Sequence, residues 1–280
     1  MEVGIKIGPA DGPEVKDAAV RAEALGFDSV WLSERVAIPL DKPHPYEPGT
    51  DPWIGLAFAA AVTERVRLGT SVSQIALRPP VLMARELATL DRLSNGRVIV
   101  GAGAGWVEEE FTSTGVPFET RGGRLNEFIP LLRHLWTNPE EPWTGKHFQV
   151  PSIGLVRPFT PGGPPIFVGA GAPPGIRRAA RYGDGFISVM LPPDTIAKLR
   201  SRLTALRVGF GRTGDFPLYT QVSAPATTED ARTLVQSYGE AGVSGLIISE
   251  GATISGVSFL EREGTVRTLI ESAHGWAAAR

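Results

Sequence analysis

Four short segments carry the side chains able to do chemistry: Ser33-Glu34-Arg35, Thr70-Ser71-Val72-Ser73-Gln74, Gly101-Ala102-Gly103-Ala104-Gly105-Trp106 and Gly169-Ala170-Gly171-Ala172. Glu34 and Arg35 are the candidate catalytic pair. An arginine keeps its proton near neutral pH, so Arg35 can neutralise developing negative charge or bind a substrate oxygen but cannot act as a general acid or base. Glu34 can donate a proton only where burial raises its pKa. Gly169 to Ala172 precedes a helix beginning near Pro173 to Gly175, which offers backbone N–H groups and the positive dipole end to an anion, with Arg177 or Arg178 adding charge. Such a glycine-rich turn also arises for purely geometric reasons. Gly101 to Gly105 leaves room for a planar ring that Trp106 would wall or stack on, or else permits close packing of a helix on a strand. Glu108, Glu109 and Glu110 open a helix and read as a solvated first turn.

The rest of the inventory mostly excludes. The chain has no cysteine, which rules out disulfides, thiolate zinc sites and cysteine nucleophiles. Of the four histidines, His134 and His274 read as structural or exposed, and His44, in the loop Pro43 to Pro48 with Tyr46, is placed to line a substrate mouth. No His/Asp/Glu spacing suggests a metal site, and there is neither a hydrolase elbow nor a Walker motif.

These segments need a scaffold. Helical periodicity recurs in Val15, Ala18, Ala19 and Ala22; in Ile54, Ala57, Phe58, Ala61 and Val62; in Ile196, Leu199, Leu203 and Leu206; and in Ala231, Leu234, Val235 and Tyr238. Between the helical stretches lie β-rich runs at Val3 to Ile7, Asp28 to Leu32, Val66 to Gly69, Arg97 to Val100, Pro165 to Val168, Gly185 to Val189, Leu218 to Val222 and Gly245 to Ile248. Gly26, Asn95-Gly96, Gly183 and Gly242 sit where a left-handed residue ends a helix before a strand. Strict alternation of eight strands with helices predicts parallel strands, and eight closes a (β/α)8 TIM barrel; a doubly wound open sheet is the other α/β solution. The whole chain, 1–280, reads as one such domain, with 107–165 as an insertion between strands four and five. In a barrel the strand carboxyl ends form the active face, which gathers the segments above, together with Ser249-Glu250-Gly251.

Composition sets outer limits. With 280 residues, 42% hydrophobic, 21% charged and a net charge of −2, the chain reads as a soluble globular protein and not a polybasic nucleic-acid binder. Its longest apolar run, Ile54 to Val62, has nine residues, short of the roughly 20 of a membrane helix, and no signal segment opens the chain. The expectation is a cytoplasmic protein with no membrane partner.

The segments GFDSVWLSE, TERVRLGTSV, RPPVLMARELATLDRLSNGRVIVGAGAGW, EEEF, PFETRGGRLNE, LWT, PPIFVGAGAP and RRAARYGDGF resemble the luciferase-like monooxygenase superfamily, and within it the branch that uses the deazaflavin coenzyme F-420. The resemblance runs from about Val3 to Phe186. It implies a (β/α)8 barrel, a flavin or deazaflavin at the strand carboxyl ends, and a homodimer packed through the helices at Ile54 to Glu64 and Pro80 to Leu93. It also implies a non-proline cis peptide after strand three, at Ser71-Val72 by position, against which the cofactor ring rests. Ser71, Val72, Gly103, Ala104 and Trp106 would then hold the ring, and Gly169, Ala170, Gly171, Ala172 and Arg177 the phosphate. Deazaflavin-dependent relatives have Asp-His where this chain has Glu34-Arg35, a departure that removes the family's titrating histidine. The leading expectation is an F-420-dependent oxidoreductase exchanging a hydride between the cofactor and a small organic substrate. A reduced-FMN monooxygenase and a non-catalytic flavin-binding or partner barrel are the alternatives.

Overall fold

The computed structural model describes residues 1–8, 12–41, 49–249 and 258–278. Eight parallel strands close into a barrel: β1 (Glu2–Lys6), β2 (Ser29–Leu32), β3 (Arg67–Thr70), β4 (Val98–Ala102), β7 (Ile166–Gly169), β8 (Gly185–Val189), β9 (Leu218–Ser223) and β10 (Gly245–Ser249). Each pairs in parallel with its neighbours, and β1 closes the ring on β10 through Val3 opposite Leu246. Closure removes both sheet edges and excludes the doubly wound alternative. A separate antiparallel pair, β5 (Trp143–Thr144) and β6 (Gln149–Val150), stands outside the barrel.

Around the barrel run α1 (Gly12–Leu25), α2 (Pro52–Ala60), α3 (Pro80–Leu93), α4 (Glu108–Ser113), α5 (Arg121–Thr137), α6 (Pro173–Tyr182), α7 (Pro193–Gly209), α8 (Thr228–Glu240) and α9 (Glu263–Ala278). Proline, with its fixed φ, opens α2, α3, α6 and α7. Asp51 caps α2 by accepting from the N–H groups of Trp53 and Ile54, and Thr227 with Asp230 forms a capping box on α8. Gly26, Asn95, Gly96 and Gly242 have positive φ, as their position between helix and strand demands. Gly183 differs: its φ is −78°, and it is a glycine because a Cβ would stand 2.9 Å from the carbonyl of Ala179 and 3.1 Å from that of Gly185.

Between β4 and β7, α5 packs against α3 and α6 as an ordinary barrel helix, so the true excursions are α4 before it and the β5–β6 hairpin after it. Glu127 of α5 holds the hairpin by accepting from the N–H groups of His147 (2.9 Å) and Phe148 (3.0 Å). Asp184 receives the returning chain at the Ile166 N–H and is paired with Arg133. Asp91, fully buried in α3, takes Thr160 N at 2.7 Å.

Inside the barrel, alternate strand residues share one face. Trp31, Ile99, Phe167, Ile187, Tyr219 and Ile247 form the middle layer. A Cβ on Gly4 or Gly69 would come within 2.3 Å of the Trp31 indole, so these two positions are empty to admit it. Below that layer, Glu2 accepts from the Tyr219 hydroxyl and pairs with Arg67 at 3.3 Å. The layer above, two residues further along each strand, is the floor of the active face. Among the described residues no helix is long and apolar enough to cross a membrane. Replacing Gly69→Ala forces the indole out of its slot and is expected to cost about 1–3 kcal/mol, read as a lowered urea midpoint at unchanged m value.

Candidate active site

A cavity of about 760 Å³ opens at the carboxyl ends of the barrel strands. Its floor is the upper inward layer, including Lys6, Ser33, Ser71, Gly169 and Gln221, and Gly103 lines it just beyond β4. Val72, Ala104, Trp106, Ala170, Gly171 and Ala172 also line it, so every ring- and phosphate-binding residue expected from the sequence except Arg177 meets in one place. His44, Glu250 and Gly251 lie outside the described residues.

The Ser71–Val72 peptide is cis. Ser71 and Val72 both line the cavity. Val72 fills a slot between two glycines: a Cβ on Gly103 would lie 2.6 Å from its Cγ2, and one on Gly169 2.6 Å from its Cγ1. The bulge is pinned from both sides. Ser73 N donates to Gly101 O at 2.7 Å and Gly103 N to Ser73 O at 2.9 Å, while Ser33 Oγ donates to Ser71 O at 2.9 Å.

Alternation also separates the two residues after β2. Arg35 shares the parity of Trp31 and Ser33 and lines the cavity; Glu34 points the other way and does not. The Glu34 side chain is buried, with its carboxylate accepting from Ser73 Oγ (2.8 Å) and Gln74 N (2.5 Å) and pairing with Arg78 (2.5 Å). Arg78 reaches on to Asp51 at 2.7 Å, the cap of α2. Glu34 thus braces the bulge from behind.

Arg35 is aimed by Glu110, a fully buried carboxylate that also accepts from Val36 N (2.8 Å) and Gln74 Nε2 (2.8 Å). The Arg35 guanidinium lies 5.6 Å from the centre of the Trp106 ring. Of the three consecutive acids, Glu108 is solvated and Glu110 belongs to the site. Residue type does not distinguish them; the phase of α4 does.

At the mouth of β7, the helix end differs from the sequence expectation. Pro173 and Pro174 have no N–H, and those of Gly175 and Ile176 already donate to Ala172 O. The N–H groups of Gly171 and Ala172 donate to no acceptor among the described residues and are the ones open to an anion. Helix phase also selects the arginine: Arg178 is buried and lines the cavity, held by Asn126 Oδ1 (2.7 Å) and Gly122 O (3.0 Å). Arg177 turns outward over Phe210, 4.9 Å from its ring centre.

Residues 4–275 match the family described as luciferase-like monooxygenase. The chain belongs to that family. An F420-dependent glucose-6-phosphate dehydrogenase of Amycolatopsis mediterranei is 38% identical over 200 residues, covering 67% of this chain and 57% of the relative. An uncharacterised protein of Mycobacterium tuberculosis is 34% identical over 203 residues, 67% of this chain and 72% of the relative. The solved structure of an F420-dependent secondary alcohol dehydrogenase in complex with an F420-acetone adduct superposes with a TM-score of 0.83 at 18% identity, covering 97% of this chain and 98% of the other. At that identity the likeness is one of fold.

In this luciferase-like protein, sequence reasoning missed Lys6, Gln221, Glu110 and the choice of Arg178. The signal for Lys6 was available: Glu2, Gly4 and Lys6 share a face of a strand whose two faces are both covered. Lys6 is buried, and burial together with repulsion from Arg35 brings its pKa down to about 8. Among the described residues the cavity is lined by Lys6, Arg35, Arg121 and Arg178 against one carboxylate, the exposed Glu119. The folded protein thus releases the Lys6 proton near pH 8 while the unfolded chain holds it to about 10.5, so this group makes stability rise with pH across that window. Lys6→Met removes the dependence. It is expected to stabilise the ligand-free protein by up to roughly 3 kcal/mol at pH 7, fading to nothing by pH 10.5, in urea titrations at both pH values.

Proposed function

We propose that this protein is an oxidoreductase that uses the deazaflavin coenzyme F-420 and exchanges a hydride with a small organic substrate. The observation that carries the reading is the slot at the cavity floor, where Val72 of the cis bulge stands between Gly103 and Gly169 and presents an apolar face to an open, positively lined space. The relatives named F420-dependent support the choice of cofactor. When bound, the deazaflavin supplies a ring carbon that accepts or gives up hydride, chemistry that no side chain provides.

The chain's own residues orient and enclose. Val72 supports one face of the ring, and Gly103 and Ala104 let the backbone approach it. Gly171 and Ala172 offer N–H groups to the phosphate, with Arg178 adding charge from beneath. Arg35, held by Glu110 and Trp106, faces the reacting edge as a fixed cation, and Glu34 acts through the bulge as a positioning residue. Trp106, more than half exposed, covers the mouth and limits water.

The test is a fluorescence titration with F-420 and, separately, FMN. F-420 is expected to bind at least tenfold more tightly than FMN, and Gly103→Val, which fills the slot beside Val72, to weaken F-420 by about tenfold (~1.4 kcal/mol) with an unchanged circular dichroism spectrum. Preference for FMN would instead favour oxygen-dependent monooxygenation, and binding of neither would refute the reading.

The partner is a second copy of the chain. Ile54 and Phe58 on α2 and Leu82 on α3 are 71%, 44% and 49% exposed, an apolar face continuous across two neighbouring helices. Light scattering is expected to give twice the chain mass, and Ile54→Glu with Phe58→Glu to halve it; a monomeric wild type would overturn this.

A further inference from the structure

Each buried carboxylate beside the cavity has its donors, and each arginine paired with one has its acceptor. Glu34 is met by Ser73, Gln74 and Arg78, Glu110 by Arg35, Val36 and Gln74, and Arg78 by Glu34 and Asp51. Lys6 is the exception. It ends β1 on the inward face, its side chain lines the cavity floor at 5% exposure, and no ion pair or hydrogen bond from another described residue reaches its ammonium. Its charged neighbour is a second cation, Arg35. Around the same floor, Ser71 Oγ is buried with no partner, and the Gln221 amide is buried and faces the cavity. The cavity's one carboxylate among the described residues, Glu119, is exposed, and its other cations, Arg121 and Arg178, lie toward α5 and α6.

Lys6 thus has no acceptor among the described residues; the cation near it, Arg35, is already paired with Glu110, and the Ser71 hydroxyl is unpartnered. Burying an ammonium without a counter-charge is unfavourable, and an oxyanion delivered to the floor reverses that. We propose that Lys6, with Arg35 beside it, is the anion-receiving end of the cavity and binds an oxygen that already carries negative charge, either a carboxylate or enolate oxygen of the substrate or the ionised ring system of the deazaflavin. The second source rests on the proposed deazaflavin reading; the first does not. On this assignment the substrate class narrows to small organic acids and their enolates, whose charged end seats at Lys6. The lowered pKa of Lys6 agrees with a cation waiting for its counter-ion.

The chain has five lysines, few enough for each to be resolved as a 13C-dimethylated amine by NMR. The full-length protein is labelled and titrated with pH alone, with F-420, with acetate, and with neutral acetamide as control. Lys6→Met assigns the signal, and Lys6→Arg serves where Lys6→Met folds poorly. The Lys6 resonance is expected to titrate well below the others, and F-420 or acetate to raise its pKa by a unit or more while acetamide does not; the arm that does so identifies the source of the oxygen. A Lys6 pKa that neither anion moves would overturn the proposal, as would a Lys6→Met protein that binds F-420 and acetate as tightly as wild type instead of about tenfold more weakly. Failure of the cofactor reading is separable: wild-type protein that leaves F-420 fluorescence unchanged while acetate raises the Lys6 pKa keeps the anion site and discards the deazaflavin.

Discussion

The Glu34 carboxylate is the interaction on which the active face is built. It sits behind the cavity wall, takes a hydroxyl and a backbone N–H from the bulge after β3, and passes its charge through Arg78 to Asp51 at the start of α2. Three chain segments remote in sequence are thereby fixed to one another before any ligand arrives. Gln74 extends the brace, because its backbone belongs to Glu34 and its amide to Glu110. Arg35 inherits its aim from that second carboxylate. Removing the Glu34 charge would therefore loosen the bulge and, through Gln74, the cation that lines the cavity.

A division of labour between neighbouring residues follows. Glu34 and Arg35 are adjacent in sequence and of opposite charge, yet one is structural support and the other lines the cavity, because a strand sends successive side chains to opposite faces. The same logic sorts Arg177 from Arg178 on a helix, where one residue turns the side chain by about 100°. In both cases the functional partner is decided by phase and not by residue type.

That is also the measure of what could be read beforehand. The barrel was legible because eight β-rich runs alternate with helical stripes and glycine ends most of the intervening helices. The resemblance in Thr63 to Trp106 located the cis bulge and the small residues that line the cavity beside it. What was hidden or passed over were side chains whose importance depends on burial: Glu110 is one of three identical letters, and Lys6 is a charged residue whose place is readable only once its strand is taken as covered on both faces. The loop Gly169 to Ala172 does line the cavity, but the helix end behind it offers fewer N–H groups than expected, since the prolines at the start of α6 remove two and the helix's first turn consumes the next two.

The aromatic plug in the middle of the barrel has a thermodynamic consequence. Glu2 and Lys6 stand on the same face of one strand but four residues apart, roughly 13 Å along the chain, with Trp31, Phe167 and Tyr219 packed between their levels. Charges that far apart, with no shared partner, behave additively. The Glu2–Arg67–Tyr219 cluster at the bottom and the cationic floor at the top are therefore two independent compartments of a single core. Selection or design can adjust the lower one for stability without retuning the electrostatics of the upper one.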